Sequence, residues 1–372
     1  MESPISKPIG SDVQDLDTPS LTVDLDVLED NISQLTEFFS TRKPNLITRS
    51  DTHYTSSLTS LQQKDQPPNS LITVSTLEQA EVFANSGFNN LLIMNFFIDT
   101  NKISKLAQLS LLTKIFIIID NEKHLEIINQ VIQTSNFKIP VLVRIKTNNS
   151  FFGCPPGKQF TNLVKKIIQT KTIQFSGIID YSDKTQYSHS TEKTRYVFSK
   201  AEPAPASNVS TLSSVFEELN QQKINCEMLI IDDTYKYDLI SDSKVTHYIT
   251  GIDFIGNKSF LNLQSPVQLL STVTSCPESD QFILDGGLKS TGIQSGIIAD
   301  EANTILKPNL YSAEHLSFIK TDDFLDNPKI GEKIYVKPQN IPDTFNRHNY
   351  VYGIRKNKLE AIYTINARGK YK

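Results

Sequence analysis

Aspartates recur where short apolar runs end. Asp51, Asp120, Asp180, Asp232, Asp233 and Asp253 each stand at or just past the C-terminal end of a β-branched stretch of strand length. A ring of such carboxylates could hold a hard divalent cation through oxygen, or attract a basic ligand. The plainer reading is that aspartate is common where a chain leaves the core and turns. His53 and Tyr181 fall at similar strand ends. An imidazole there could pass a proton and a phenol could line a pocket, or each could be hydrogen-bonded structure and nothing more. His315 has the same two readings, an acid/base group or a packed or solvent-facing side chain. Cys154, Cys226 and Cys276 have neither metal nor redox spacing, as expected of structural thiols in a reduced cytoplasmic chain.

Such side chains need elements to hold them. Candidate strands begin near Asn45, Ser70, Asn90, Lys114, Pro140, Gln174, Met228 and His247, with amphipathic segments between most of them. Leu28, Ile32, Leu35 and Phe39 share a helix face, and Asp26 reads as its N-cap. Ser75 and Glu78 form a capping box for a helix that Gly87 can close. Further helices are expected over Asn121–Thr134, Lys158–Thr170 and Thr211–Gln222. Eight strands alternating with helices predict an α/β fold, a closed (β/α)8 barrel of the TIM type. Lys184 to Asn208 breaks the rhythm and reads as a long loop. After Asn262 strand-like runs dominate: Val267–Ser275, Gln281–Asp285, Lys333–Lys337, Tyr350–Arg355 and Leu359–Ile365. They predict a C-terminal antiparallel β domain. The division expected is a barrel over 26–262 and a β domain from 1–25 plus 263–372, although the opening strand Leu21–Leu25 could join either.

Composition sets the outer limits. The chain of 372 residues has room for a barrel of about 250 and a smaller unit. A net charge of −4 gives no basic footprint for nucleic acid. No apolar run is long enough to cross a membrane, and the start of the chain shows no secretory pattern. Glycine is scarce, 14 residues against an average near ~7%, and glycine is what lets backbone N–H groups close around phosphate.

Six blocks in order give the chain a relative. Asp15–Asp26 (Asp-Leu-Asp-Thr-Pro-Ser-Leu-Thr-Val-Asp-Leu-Asp), Thr76–Ala84, Gly153–Gly157, Leu284–Lys289 (Leu-Asp-Gly-Gly-Leu-Lys), Ala313–His315 and Ile365–Lys370 resemble the D-threonine aldolase and D-serine dehydratase-like family. These are fold-type III, alanine racemase-like enzymes. The resemblance implies a barrel followed by a β domain, a dimer, pyridoxal phosphate at the barrel mouth and a divalent metal such as zinc.

Set against that family, the site positions depart. Its Schiff-base lysine lies in a Lys-Thr-His-Lys block, where this chain has Asp51, Thr52, His53 and Tyr54. A carboxylate forms no imine and would repel a phosphate. The arginine of a Gly-Met-Gly-Arg run becomes Phe151. The family tyrosine is kept as Tyr181, and the histidine three residues on becomes Lys184. The Ser-Gly-Gly-Gly-Thr phosphate turn reads Ile230-Ile-Asp-Asp-Thr234, and the Arg-Pro-Gly-x-Tyr turn reads Ile249-Thr-Gly-Ile-Asp253. Only Thr234 and Gly251 persist, with Asp232 and Asp233 where a dianion would sit. The metal-binding His and Cys become Asn340 and Pro342, poor ligands for zinc.

The expectation is a pseudoenzyme, a binding or regulatory protein with no bound pyridoxal phosphate or metal. Its residual pocket would be drawn from Thr52, His53, Tyr181, Asp232, Asp233, Thr234, Gly251 and Asp253. It would pair with itself and take an unidentified small ligand or protein partner. Two alternatives stay open: an active pyridoxal-phosphate lyase on D-3-hydroxy amino acids, with Lys43 or Lys146 as the amine, and an enzyme using the acidic mouth to bind metal.

Overall fold

The computed structural model describes residues 7–147, 150, 152–181, 207–232, 244–256, 261–292, 306–320, 328–338 and 340–372. Phe151, Lys184, Asp233, Thr234 and nearly all of the long loop after Tyr181 lie outside these residues. The elements run in order β1 (Ser20–Asp24), α1 (Leu25–Ser40), β2 (Asn45–Arg49), α2 (Ser56–Gln62), β3 (Ile72–Val74), α3 (Leu77–Asn85), β4 (Asn90–Ile93), α4 (Thr100–Leu109), β5 (Lys114–Ile119), α5 (Glu122–Ile132), β6 (Ile139–Arg144), α6 (Lys158–Gln169), β7 (Ile173–Tyr181), α7 (Ser207–Gln221), β8 (Met228–Asp232) and β9 (His247–Thr250). There follow α8 (Ile252–Ile255), β10 (Val267–Glu278), β11 (Gln281–Leu284), α9 (Leu288–Thr291), β12 (Leu306–Tyr311), β13 (Leu316–Lys320), β14 (Lys333–Val336), α10 (Ile341–Phe345), β15 (Tyr350–Arg355) and β16 (Lys358–Thr364). Two compact units result. One gathers the chain up to Glu37, Ser50–Gln66 and Gly251–Tyr371; the other gathers Phe38–Arg49 and Pro67–Thr250.

The second unit is a closed parallel barrel, β2 through β9 in chain order, as the strand count predicts. Each strand starts within two residues of its expected place. The reason is local: side chains alternate across a strand, and in a barrel both faces are buried. Ile47, Leu92, Phe116, Ile118, Leu142, Ile179, Ile230 and Ile249 fill the interior. The intervening Ile115, Ile117 and Ile119 of β5 are just as buried on the other face, which is why that run reads as continuously apolar. Continuing the period of two to the C-terminal ends brings Arg49, Met94, Asp120, Arg144, Tyr181 and Asp232 to the rim.

Helix starts follow the expected chemistry with small shifts in position. Asp24, not Asp26, caps α1: its carboxylate accepts the N–H of Val27 at 3.1 Å. The box on α3 is displaced by one residue, with Thr76 accepting from the N–H of Gln79 and Gln79 accepting from the N–H of Ser75 at 2.8 Å. Asp24 is the last residue of β1, and Thr76 has extended backbone two residues after β3 ends.

The first unit carries a sheet ordered β12-β13-β11-β10-β1-β15-β16, with β14 paired to β10. It is mostly antiparallel, with β1 beside β15 in parallel register, so the opening strand joins this unit. β12 and β13 escape a reading by pattern because Pro308 interrupts the first of them. The ladder shifts between Pro308 and Leu310, and β12 has an end position in the sheet order, the kind of place where proline is tolerated. Two family-like blocks meet here. Asp285 accepts the N–H of Thr272 at 2.9 Å and the hydroxyl of Thr18, tying the block at Leu284–Lys289 to the opening one. Gly287 lies so close to the backbone of Glu314 and His315 that a Cβ could not fit.

Gly177 on β7 has φ +153° beside a register shift against β6, and a Cβ there would collide with the Met228 carbonyl of β8. Gly177→Ala should cost about 2 kcal/mol or more, from backbone strain and steric overlap together. Urea unfolding followed by circular dichroism checks this; an unchanged midpoint would refute it.

Candidate functional site

At the barrel rim an ion pair joins Arg49 of β2 to Asp232 of β8. Both strands pair with β9, so their inward-facing ends reach toward one another across it. The carboxylate is the better shielded partner, its side chain 5% exposed against 23% for the arginine. Next to Asp232 in register stands Tyr181 of β7. Its hydroxyl donates to the Met94 carbonyl at 3.0 Å. Beneath its ring, 3.6 Å from the centroid, lies the guanidinium of Arg144, fully buried, which also donates to the Tyr181 carbonyl at 3.2 Å. Phe152 approaches the same guanidinium at 5.6 Å. A cation facing aromatic rings gains from their quadrupoles, which offsets part of its lost hydration.

The remaining barrel aspartates are each held locally. Asp120 accepts the N–H of Gly153 at 3.1 Å and the amide of Asn121 at 2.7 Å, and His124 stands 3.3 Å away. Burial holds His124 below the ordinary histidine range, with Asp120 working against it. Asp180 accepts from the Thr147 hydroxyl at 3.3 Å. Among the described residues no three His, Cys, Asp or Glu side chains come together as a metal site. Among the described residues, Asp120, Asp180 and Asp232 thus each have a partner of their own.

In the other unit, the turn after Arg49 buries a polar chain. The Thr55 N–H donates to Nδ1 of His53 at 3.2 Å, so Nε2 carries the proton and faces Oε1 of Gln62 at 2.9 Å. The Gln62 amide donates to Oδ2 of Asp253. His53 also packs on Phe254, ring centroids 4.4 Å apart. Burial pushes His53 down to about 4, against the opposing influence of Gln62 and Asp51. Burial pushes Asp253 up to about 6, because its hydrogen bonds only partly replace lost water. His53 and Asp253 are thus interior structure and line no open surface.

The other predicted positions resolve individually. Asp51 is half-buried in the turn Ser50–Thr52, and with burial its charge raises the Tyr54 hydroxyl. Thr52 is buried. The Gly251 carbonyl accepts the N–H groups of Phe254 and Ile255, both at 3.2 Å, and so opens α8. Asn340 caps α10 by accepting the Asp343 N–H at 3.0 Å, and Pro342 lies in the first turn of that helix. His315 is exposed on a turn closed by Ser312. Lys43 precedes β2, at the end away from the rim, and Lys146 is exposed just after β6.

Two residues of these networks carry only weak sequence signals. Arg144 ends the apolar run Ile139–Arg144, and a charge at an inward period-two position was the available clue. Gln62 has none, since its partners depend on how α2 packs.

The buried pair generates a pH test. His53 has a folded-state value below its ordinary 6.5, so its contribution to stability is lost as pH falls from there toward 4. Asp253 has a folded-state value above its ordinary 3.8, so its contribution is lost as pH rises from there toward 6. The opposed slopes cancel across the shared window. Asp253→Asn should make stability rise with pH between these limits, and His53→Gln should make it fall, each by about 3 kcal/mol at most. Urea unfolding of the three proteins across the window checks it; three parallel profiles would refute it.

Comparison with known proteins agrees with this architecture. The family model for the alanine racemase N-terminal domain matches residues 23–243, and a D-serine dehydratase-type domain matches 267–354. The D-threonine aldolase of Arthrobacter sp is 24% identical over 97% of this chain and 95% of its own. The 3-hydroxy-D-aspartate aldolase of Paracoccus denitrificans is 20% identical over 97% and 94%. The crystal structure of D-threonine aldolase from Filomicrobium marinum superposes with a TM-score of 0.85 at 21% identity, covering 98% of this chain and 100% of that one. The chain belongs to the alanine racemase N-terminal domain family, and its C-terminal part matches the serine dehydratase domain model.

Proposed function

We propose that the chain is a non-catalytic member of this family, a binding or regulatory protein on an aldolase scaffold. The observation that carries the reading is the Arg49–Asp232 ion pair at the rim. β2 ends in a guanidinium, a poor nucleophile that stays protonated, and the turn beyond it holds Asp51 rather than an amine. The carboxylate of Asp232 stands where the resemblance puts a cofactor phosphate. Lys43 and Lys146 are poor substitutes, one at the wrong end of β2 and the other facing solvent. Asn340 spends its side-chain oxygen on a helix cap, which does not fit a zinc ligand. These residues support a barrel mouth that holds neither pyridoxal phosphate nor metal. A cytoplasmic setting belongs to the same proposal and suits three cysteines outside any disulfide; no helix among the described residues is long and apolar enough to cross a membrane.

The names of the relatives favour the other reading, a pyridoxal-phosphate lyase acting on D-3-hydroxy amino acids. One measurement separates the two. Freshly purified protein should show no aldimine absorbance, no lysine adduct by mass spectrometry after borohydride, and no cleavage of D-threonine. A reducible aldimine on one lysine would establish the lyase instead.

A symmetric homodimer is part of the proposal, because losing chemistry does not remove the need to cover an apolar interface. Sedimentation at micromolar concentration should give a species near twice 41.9 kDa. A monomer unmoved by tenfold concentration would end that part of it.

A further inference from the structure

We propose that Arg49 is an anion-binding residue whose site is filled by the chain's own Asp232, so that the barrel rim is self-liganded and closed to phosphate-bearing ligands. The guanidinium fork matches carboxylate and phosphate oxygens alike, so either can satisfy it. What differs is supply. Asp232 is delivered by β8, held in register beside Tyr181 and across β9 from Arg49, and its side chain is 5% exposed. A group fixed in this way competes at an effective concentration far above that of a free anion.

The environment leaves no comparable alternative in view. The neighbouring rim cation, Arg144, is stacked under Tyr181 and fully buried, and the Tyr181 hydroxyl is committed to the Met94 carbonyl. Arg49 has 23% of its side chain exposed, so solvent can reach it. Physiological occupants of this rim should accordingly lack a phosphate. The inference deepens the proposed function and rests on the same ion pair. An aldimine in the purified protein would sink both, whereas uptake of inorganic phosphate by unaltered protein without an aldimine would sink this one alone.

Removing the carboxylate would take from a shielded cation the acidic group that faces it, a loss that an anion from solution can relieve. The test is calorimetric titration and thermal unfolding with inorganic phosphate, at constant ionic strength made up with chloride. The unaltered protein should take up no phosphate to about 10 mM, while Asp232→Ala should bind it saturably, at least tenfold more tightly, and be stabilised by it. The double variant Arg49→Met/Asp232→Ala should lose that binding. Equal uptake by the unaltered protein, no uptake by folded Asp232→Ala, or undiminished uptake by the double variant would each overturn the proposal. If Asp232→Ala does not fold, Asp232→Asn, which keeps the shape and removes the charge, takes its place with the same outcomes.

Discussion

Closure of the parallel barrel is the constraint on which the candidate site depends. A ring of eight strands has no free edge, and its inward positions are filled by branched apolar side chains such as Ile47, Leu142, Ile230 and Ile249. Charge is therefore kept to the strand ends, and at the rim each strand gives up its last inward residue. There, the ring geometry decides which residues become neighbours. β2 and β8 are separated by most of the barrel along the chain but by one strand in space, and only closure brings Arg49 to Asp232.

The charged groups so exposed are each compensated by a different device. Asp232 has a guanidinium, Asp120 has backbone and amide donors, and Arg144 has aromatic rings and a carbonyl. In a shielded setting an uncompensated charge would be far more costly than the modest gain from any single pair. Each of these contacts fixes one rim side chain in place. The His53–Gln62–Asp253 chain in the other unit follows the same logic with neutral partners. One group is kept unprotonated at Nδ1, the other gains from holding its proton, and a glutamine bridges them.

Several motifs that look chemical are structural in this chain. Asp285, Gly286 and Gly287 tie together the start of the chain, β10 and the turn at Glu314, through hydrogen bonds and contacts too close for a Cβ. Asn31, which opens the glycosylation-like run Asn-Ile-Ser, is buried and donates to the carbonyls of Asp253 and Gln264. Packing alone gives these residues a role in this chain.

The sequence by itself determined the elements. The start of every barrel strand, the helices α1, α3, α5, α6 and α7 and most of the later strands are written in periods of two and of three to four residues, which follow from backbone geometry within a few neighbours. The family-like blocks were legible for the same reason, each being a short run with its own local requirement. Tertiary structure decided what the side chains do. It assigned β1 to the second sheet, placed β12 despite Pro308, moved two helix caps by one or two positions, and chose the partners of Arg49, Arg144, His53 and Asp253. Periodicity reports which face of an element is buried. It carries no information about which charge from a distant strand end will stand opposite, because that is fixed only when the ring closes.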